Sequence, residues 1–90
     1  MAVKVHIPTP MRQQTEGQAT VEVSGATVQA VLDDLGRKYP GITQRLFDNG
    51  QLRRFVNLYL NDEDVRYLDS LGTAVKDGDE LSIIPAVAGG

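Results

Sequence analysis

The strongest β-strand pattern of the chain is the segment Arg54-Phe55-Val56-Asn57-Leu58-Tyr59-Leu60. Every second residue from Val56 onward is aliphatic, which is the period of a strand with one buried face. Phe55 and Tyr59 fall on the opposite phase and are predicted to point away from the core. The segment therefore predicts a half-buried strand, and the elements on either side of it decide the fold.

Two alternating segments near the amino end, residues 3–7 and 19–24, predict two strands joined by a turn. Pro8 and Pro10 end the first strand because proline cannot donate a hydrogen bond to a ladder. The two segments together predict an amino-terminal hairpin.

A helix is predicted after this hairpin, because apolar residues recur there with the spacing of one helical face. These residues are Val28, Val31, Leu32, Leu35 and Tyr39. Thr27 is the expected N-cap, and Pro40-Gly41 ends the helix. Residues 42–47 indicate a further short helical turn, which Asp48-Asn49-Gly50 would end.

After the central segment, residues 61–64 are predicted to form a turn and residues 65–67 a short return strand. The loop that follows would be anchored by three apolar side chains, Leu68, Leu71 and Val75. A tight turn at residues 76–79 leads into a last strand, Glu80 to Pro85, with Leu81 and Ile83 facing inward.

The order is a β-hairpin, a helix and then two or three strands. One main helix packed on one face of a mixed sheet buries all of these apolar stripes. We therefore predict an α+β domain of the β-grasp type over residues 1–85, with the first and last strands side by side at the centre. Residues 86–90 are predicted to form a flexible carboxyl-terminal tail.

Composition limits the possible functions. Ninety residues predict one domain, and the absence of cysteine excludes disulfides, a thiolate nucleophile and cysteine-ligated metals. The net charge of −3 argues against nucleic acid or an anionic membrane as the main partner. No leader pattern or membrane-length apolar run is seen, so we expect a cytoplasmic protein.

The side chains predict no catalytic site and no metal site. His6 is the only histidine and lies on the polar phase of the first strand, as an ordinary surface residue does. Residues 62–64 are acidic, but they lack the alternate spacing and central glycine of a calcium loop. The basic pair Arg53-Arg54 would guard a strand edge or meet an acidic patch on a protein partner. We therefore predict that the chain is not an enzyme.

An outward-facing patch is predicted from Phe55, Tyr59 and Ile84, which share the exposed phase of their strands. Contiguous exposed apolar residues mark binding sites, so these three form the predicted partner-binding surface. The alternative is that a loop covers them.

The tail is the predicted working part. Gly89 and Gly90 lack Cβ atoms, so they can pass extended through a channel too narrow for side chains, and Ala88 can share that passage. The terminal carboxylate of Gly90 is the reactive group that the tail offers. Pro85 would release the tail from the sheet, and five residues reach up to roughly 17 Å. The alternative is a frayed end without function.

Three segments carry a resemblance to a known family: Phe55-Val56-Asn57-Leu58-Tyr59-Leu60-Asn61-Asp62-Glu63-Asp64-Val65-Arg66, Lys76-Asp77-Gly78-Asp79-Glu80 and Ile83-Ile84-Pro85-Ala86-Val87-Ala88-Gly89-Gly90. Together they resemble the ubiquitin-like sulfur carriers of the MoaD/ThiS type. Tyr39-Pro40-Gly41-Ile42 and the ending of the chain are most similar to the branch that carries sulfur for cysteine biosynthesis.

The resemblance implies that every catalyst belongs to a partner. An E1-like adenylating sulfurtransferase would use ATP to activate Gly90, which would then become a thiocarboxylate. A cysteine synthase that holds pyridoxal phosphate would accept the sulfur, and a zinc metalloprotease would release cysteine. No cofactor would be bound by the chain itself. Molybdopterin synthesis, thiamin synthesis, tRNA thiolation and protein modification remain as alternative roles.

Overall fold

The aliphatic positions of the alternating segments lie on one face of a mixed sheet in the computed structural model, which describes residues 2–53 and 56–85. Its strands are β1 Ala2–His6, β2 Thr20–Ser24, β3 Phe47–Asp48, β4 Gln51–Leu52, β5 Val56–Leu60, β6 Glu63–Asp64 and β7 Glu80–Pro85. Its α-helices are α1 Val28–Lys38 and α2 Pro40–Leu46. Single 3₁₀ turns or short 3₁₀ helices occupy Thr9–Thr15, Val65–Tyr67 and Ser70–Gly72.

Five of these strands form one sheet within the described residues, in the order β2-β1-β7-β5-β6. Strands β1 and β7 run parallel, with Val5 in register with Leu81, and the other neighbours are antiparallel. The first and last strands thus lie side by side at the centre, as predicted. The β-grasp prediction is confirmed, and β7 is a central strand.

The main helix covers one face of this sheet. The Thr27 hydroxyl accepts a hydrogen bond from the Ala30 amide at 3.1 Å, which confirms Thr27 as the N-cap. Four of the five residues predicted for the apolar helical face are buried in the core, whereas Tyr39, the C-cap residue, is only partly buried. The buried helix residues are Val28, Val31, Leu32 and Leu35. The second helix, α2, adds Ile42 and Leu46 to the same core.

The return strand was predicted too late in the chain. Asn61 and Asp62 both have positive φ, 49° and 73°, and complete the turn alone, so β6 begins at Glu63. The Asp64 carboxylate then accepts a hydrogen bond from the Arg66 amide at 2.9 Å. This cap starts a 3₁₀ turn at residues 65–67, where a strand was predicted.

Three further predictions differ from the structure. Leu68 is 39% exposed and does not anchor its loop, whereas Val75 is buried and Leu71 packs on the core. Ala19 is exposed because β2 begins one residue later. The connection between β1 and β2 is a 3₁₀ helix that buries Met11, although the sequence predicted a turn.

A second small ribbon was not predicted. Strands β3 and β4 pair across Asn49 and Gly50, which have φ values of 54° and 79°. A two-residue connection with positive φ at both positions is a typical hairpin turn. A helix with the length and hydropathy of a membrane span is not found in the part of the chain that the structure describes.

Candidate functional site

The candidate site is the end of β7, where the chain enters the tail. Leu81 and Ile83 point into the core, whereas Ser82 and Ile84 lie on the opposite face, which we call the outer face. The described pairing of β7 with β1 ends at Ser82, and Ile84 and Pro85 pair only with β5. In the described structure, Ile84 and Pro85, the last residues before the tail, are therefore paired with a neighbouring strand on one side only.

Pro85 pairs in register with Val56 at the edge of the described region. It has no N–H, and the N–H of Val56 donates to the carbonyl of Arg53 at 3.1 Å. The release of the tail at Pro85 stays a prediction, because residues 86–90 lie outside the described residues. The predicted carrier glycine Gly90 and the passage residues Gly89 and Ala88 lie in that range.

The structure brings together two of the three predicted patch residues. Tyr59 is in register with Ser82, and Asn57 with Ile84, so Tyr59 and Ile84 are diagonal neighbours on the outer face. Ile84 is 45% exposed and Tyr59 is half-buried. Phe55 lies outside the described residues. An accessible apolar position therefore exists one residue before Pro85.

The outer face next to this patch is polar. His6 lies in register with Ser82, and its Nε2 is 2.6 Å from the Glu80 carboxylate. Its Nδ1 is 3.3 Å from the Thr20 hydroxyl. Both ring nitrogens of His6 thus contact residues of neighbouring strands.

In the acidic segment, residues 62–64, the buried carboxylate of Asp64 stabilises the local fold. Asp64 accepts a hydrogen bond from the Arg66 guanidinium at 2.8 Å in addition to the one from the Arg66 amide. The guanidinium bond first, and the amide bond second, lower the pKa of Asp64 below its ordinary value of 3.8. In the described part of the chain, no three metal-ligating side chains come together.

The opposite end of β7 is tied down by another carboxylate. Asp79 accepts hydrogen bonds from the Lys76 amide at 2.8 Å and from the Asn61 side chain at 3.0 Å. These two bonds, the amide bond being the stronger influence, lower the pKa of Asp79 below 3.8. The Asn61 side-chain oxygen accepts in turn from the Glu80 amide at 3.0 Å, so the start of β7 is fixed to the turn after β5.

Sequence reasoning missed a groove of about 510 Å³ that borders Pro85. Arg45 from α2 and Arg53 from the loop before β5 both line it. In the sequence, Arg53 stands out only as half of a basic pair, and Arg45 falls within the predicted short helical turn without any sign of a role. Nothing in the spacing of these two residues indicates that the fold brings them to the base of the tail.

A β-grasp sheet whose central strand leads into a terminal Gly-Gly sequence defines the class of ubiquitin-like carriers and modifiers. The chain belongs to the ThiS family, whose sequence profile matches residues 5–90. That match includes the tail.

Individual relatives agree with this assignment. The chain is 54% identical to the sulfur carrier protein CysO of Mycobacterium tuberculosis over an alignment of 93 positions that covers all of both chains. A chain in the crystal structure of the Amycolatopsis orientalis BexX/CysO complex is 52% identical, with a TM-score of 0.92 over 99% of this chain and 100% of that one. The small archaeal modifier protein 1 of Methanosarcina acetivorans is 33% identical, with a TM-score of 0.89 over 99% and 96%. The prediction of a sulfur carrier of the MoaD/ThiS type is confirmed.

Proposed function

We propose that the carboxylate of Gly90 is the sulfur attachment point and that the loaded carrier supplies sulfur for cysteine biosynthesis. The observation that carries this proposal is the full-length similarity to a sulfur carrier named CysO, together with a family match that extends to residue 90. The fold supports it, because the central strand β7 delivers the tail to an end of the sheet.

The proposed reaction begins on a partner. An E1-like enzyme joins a carboxylate oxygen of Gly90 to the α-phosphate of ATP and releases pyrophosphate. Hydrosulfide from the sulfur source then attacks the acyl carbon: the C–S bond forms as the C–O bond to AMP breaks, and loss of the proton from sulfur leaves the thiocarboxylate. Because ATP is a cytoplasmic metabolite, we place this reaction in the cytoplasm.

The chain itself contributes shape rather than catalysis in this proposal. Ala88, Gly89 and Gly90 make the tail slender, and the folded body stays outside the partner's active site. Pyridoxal phosphate belongs to the cysteine synthase that accepts the sulfur, and a metalloprotease frees the product. Tyr59, Ile84 and Phe55 form the surface that docks these enzymes.

Intact-mass measurement tests the proposal directly. The chain is incubated with ATP, the activating enzyme and a sulfur source, and replacement of one oxygen by sulfur is expected. Deletion of Gly90 should abolish loading, and Gly89→Leu should block it by widening the tail. Gly72→Leu is the matched control, because nothing lies within 4 Å of a Cβ at that position. Normal loading of either tail variant contradicts the proposal.

The acceptor is tested separately by binding. A cysteine synthase should be retained by immobilised carrier, whereas a molybdopterin synthase large subunit should not. Retention of the latter alone would assign the chain to pterin sulfuration. The second candidate is a protein modifier, which the similarity to a small archaeal modifier protein favours. Adducts of higher mass on lysine residues of other proteins would identify that role.

A further inference from the structure

The groove beside Pro85 is basic, although the chain as a whole has a net charge of −3. Arg45 and Arg53 supply its charge, and Met11, Gln14 and Pro10 complete much of its wall. No carboxylate from residues 2–53 or 56–85 lines it. Within the same ranges, neither arginine forms an ion pair. The groove therefore offers positive charge that the described chain does not neutralise.

Arg53 is held in a defined position. Its Nε and Nη2 donate to the Gln44 carbonyl at 3.2 and 2.9 Å, and its amide donates to the Leu46 carbonyl at 2.8 Å. Both carbonyls belong to the last turn of α2, where helix carbonyls lack partners within the helix. The guanidinium is thus fixed at the helix end, and its Nη1 donates to no acceptor among the described residues.

The groove lies at the base of the tail, so a partner that holds the tail must come close to it. Pro85 lines the groove and is the residue from which the tail begins. The five tail residues, 86–90, span at most roughly 17 Å when fully extended. An enzyme that holds Gly90 in its active site must therefore place its own surface next to Pro85, and that surface faces Arg45 and Arg53.

We propose that this groove binds acidic side chains on the enzyme that activates the tail. Carboxylates match a guanidinium in charge and geometry and can accept two parallel hydrogen bonds from it. Pairing of the two arginines with carboxylates of the enzyme would orient the carrier and accelerate its encounter with the enzyme. This proposal rests on the proposed function, because it requires an enzyme that takes up Gly90.

The test is a charge reversal, Arg45→Glu/Arg53→Glu, assayed by carrier-dependent ATP–pyrophosphate exchange with the activating enzyme. We expect KM for the carrier to rise on the order of 10- to 100-fold, because like charges would then face each other. The wild-type KM should rise with salt, and the variant KM should not. Arg37→Glu/Lys76→Glu changes the net charge equally outside the groove and should leave KM near the wild-type value.

Several outcomes overturn the proposal. An unchanged KM for the groove variant, or an equal rise for the control variant, shows that the groove makes no specific contact. A fall in KM shows that the groove holds the chain's own anionic tail instead of an acidic partner. Urea unfolding verifies that both variants are folded. If KM is unchanged while wild type gains sulfur, the groove proposal fails alone. If wild type never gains sulfur at saturating enzyme, the proposed function fails.

Discussion

Alanine substitutions at two neighbouring isoleucines of β7 should affect different properties, the stability of the fold at Ile83 and the binding of partners at Ile84. Ile83 is 3% exposed and Ile84 is 45% exposed, and they point to opposite faces of the same strand. Replacement by alanine removes three carbon atoms from each, and one buried carbon contributes about 0.8 kcal/mol. Full burial of Ile83 thus corresponds to about 2.4 kcal/mol. With the cavity that remains, Ile83→Ala should lower the free energy of unfolding by about 2–5 kcal/mol.

The same change at Ile84 should have a different result. About half of this side chain is already in water, so Ile84→Ala should cost about 1 kcal/mol of folding free energy or less. Its exposed part is the proposed contact with partner enzymes. Loss of an apolar contact worth about 1–2 kcal/mol should raise the carrier KM of the activating enzyme about 5- to 30-fold.

Urea unfolding and carrier-dependent pyrophosphate exchange measure the two quantities on both variants. Ile83→Ala, assayed at a temperature where it is folded, should keep a KM close to that of wild type. The reasoning is refuted if Ile84→Ala is as destabilising as Ile83→Ala, or if it is folded and leaves the carrier KM of the activating enzyme unchanged.

Three further predictions concern stability and are measured by urea unfolding. Thr27→Ala removes the N-cap of α1 and should cost about 1 kcal/mol; an unchanged midpoint would contradict the cap. Gly25→Ala places a Cβ 2.6 Å from the Val31 backbone nitrogen and should cost about 1–3 kcal/mol, whereas Gly72→Ala should stay within about 0.5 kcal/mol of wild type. Since the pKa of Asp79 is lower in the folded state than its ordinary 3.8, its stabilisation is present above pH 3.8 and is lost as pH falls through the lowered value. Asp79→Asn should therefore be less stable than wild type at pH 7, and the difference should shrink at acid pH; a constant difference would contradict the linkage.

The features that could be predicted from sequence depend on local periodicity. Alternation placed Leu81 and Ile83 in the core, and helical spacing together with Thr27 located α1. The return strand was misplaced because Asn61 and Asp62 complete the turn by adopting positive φ. Two residues able to adopt that conformation do not by themselves reveal where pairing resumes.

The candidate site was only partly accessible to the same reasoning. Tyr59 and Ile84 are 25 positions apart in the chain, yet strand phase was sufficient to place them on one face. The groove depended on tertiary structure, because α2, the loop before β5 and the end of β7 converge only in the fold. The Arg53–Gln44 contact joins residues on either side of the β3–β4 ribbon, which was itself not predicted.

The central position of β7 also has a mechanical consequence. A pull on the tail along the strand axis would load both ladders of β7 in shear, because their hydrogen bonds run across the axis, perpendicular to it towards β5 and slanted towards β1. The bonds of the two ladders would then share the load, whereas a force directed across the strand would break them one at a time. At the far end, Asp79 and Asn61 anchor the strand against sliding. A partner could therefore bind and pull the tail repeatedly, and the folded domain would stay intact because it resists the force as one rigid unit.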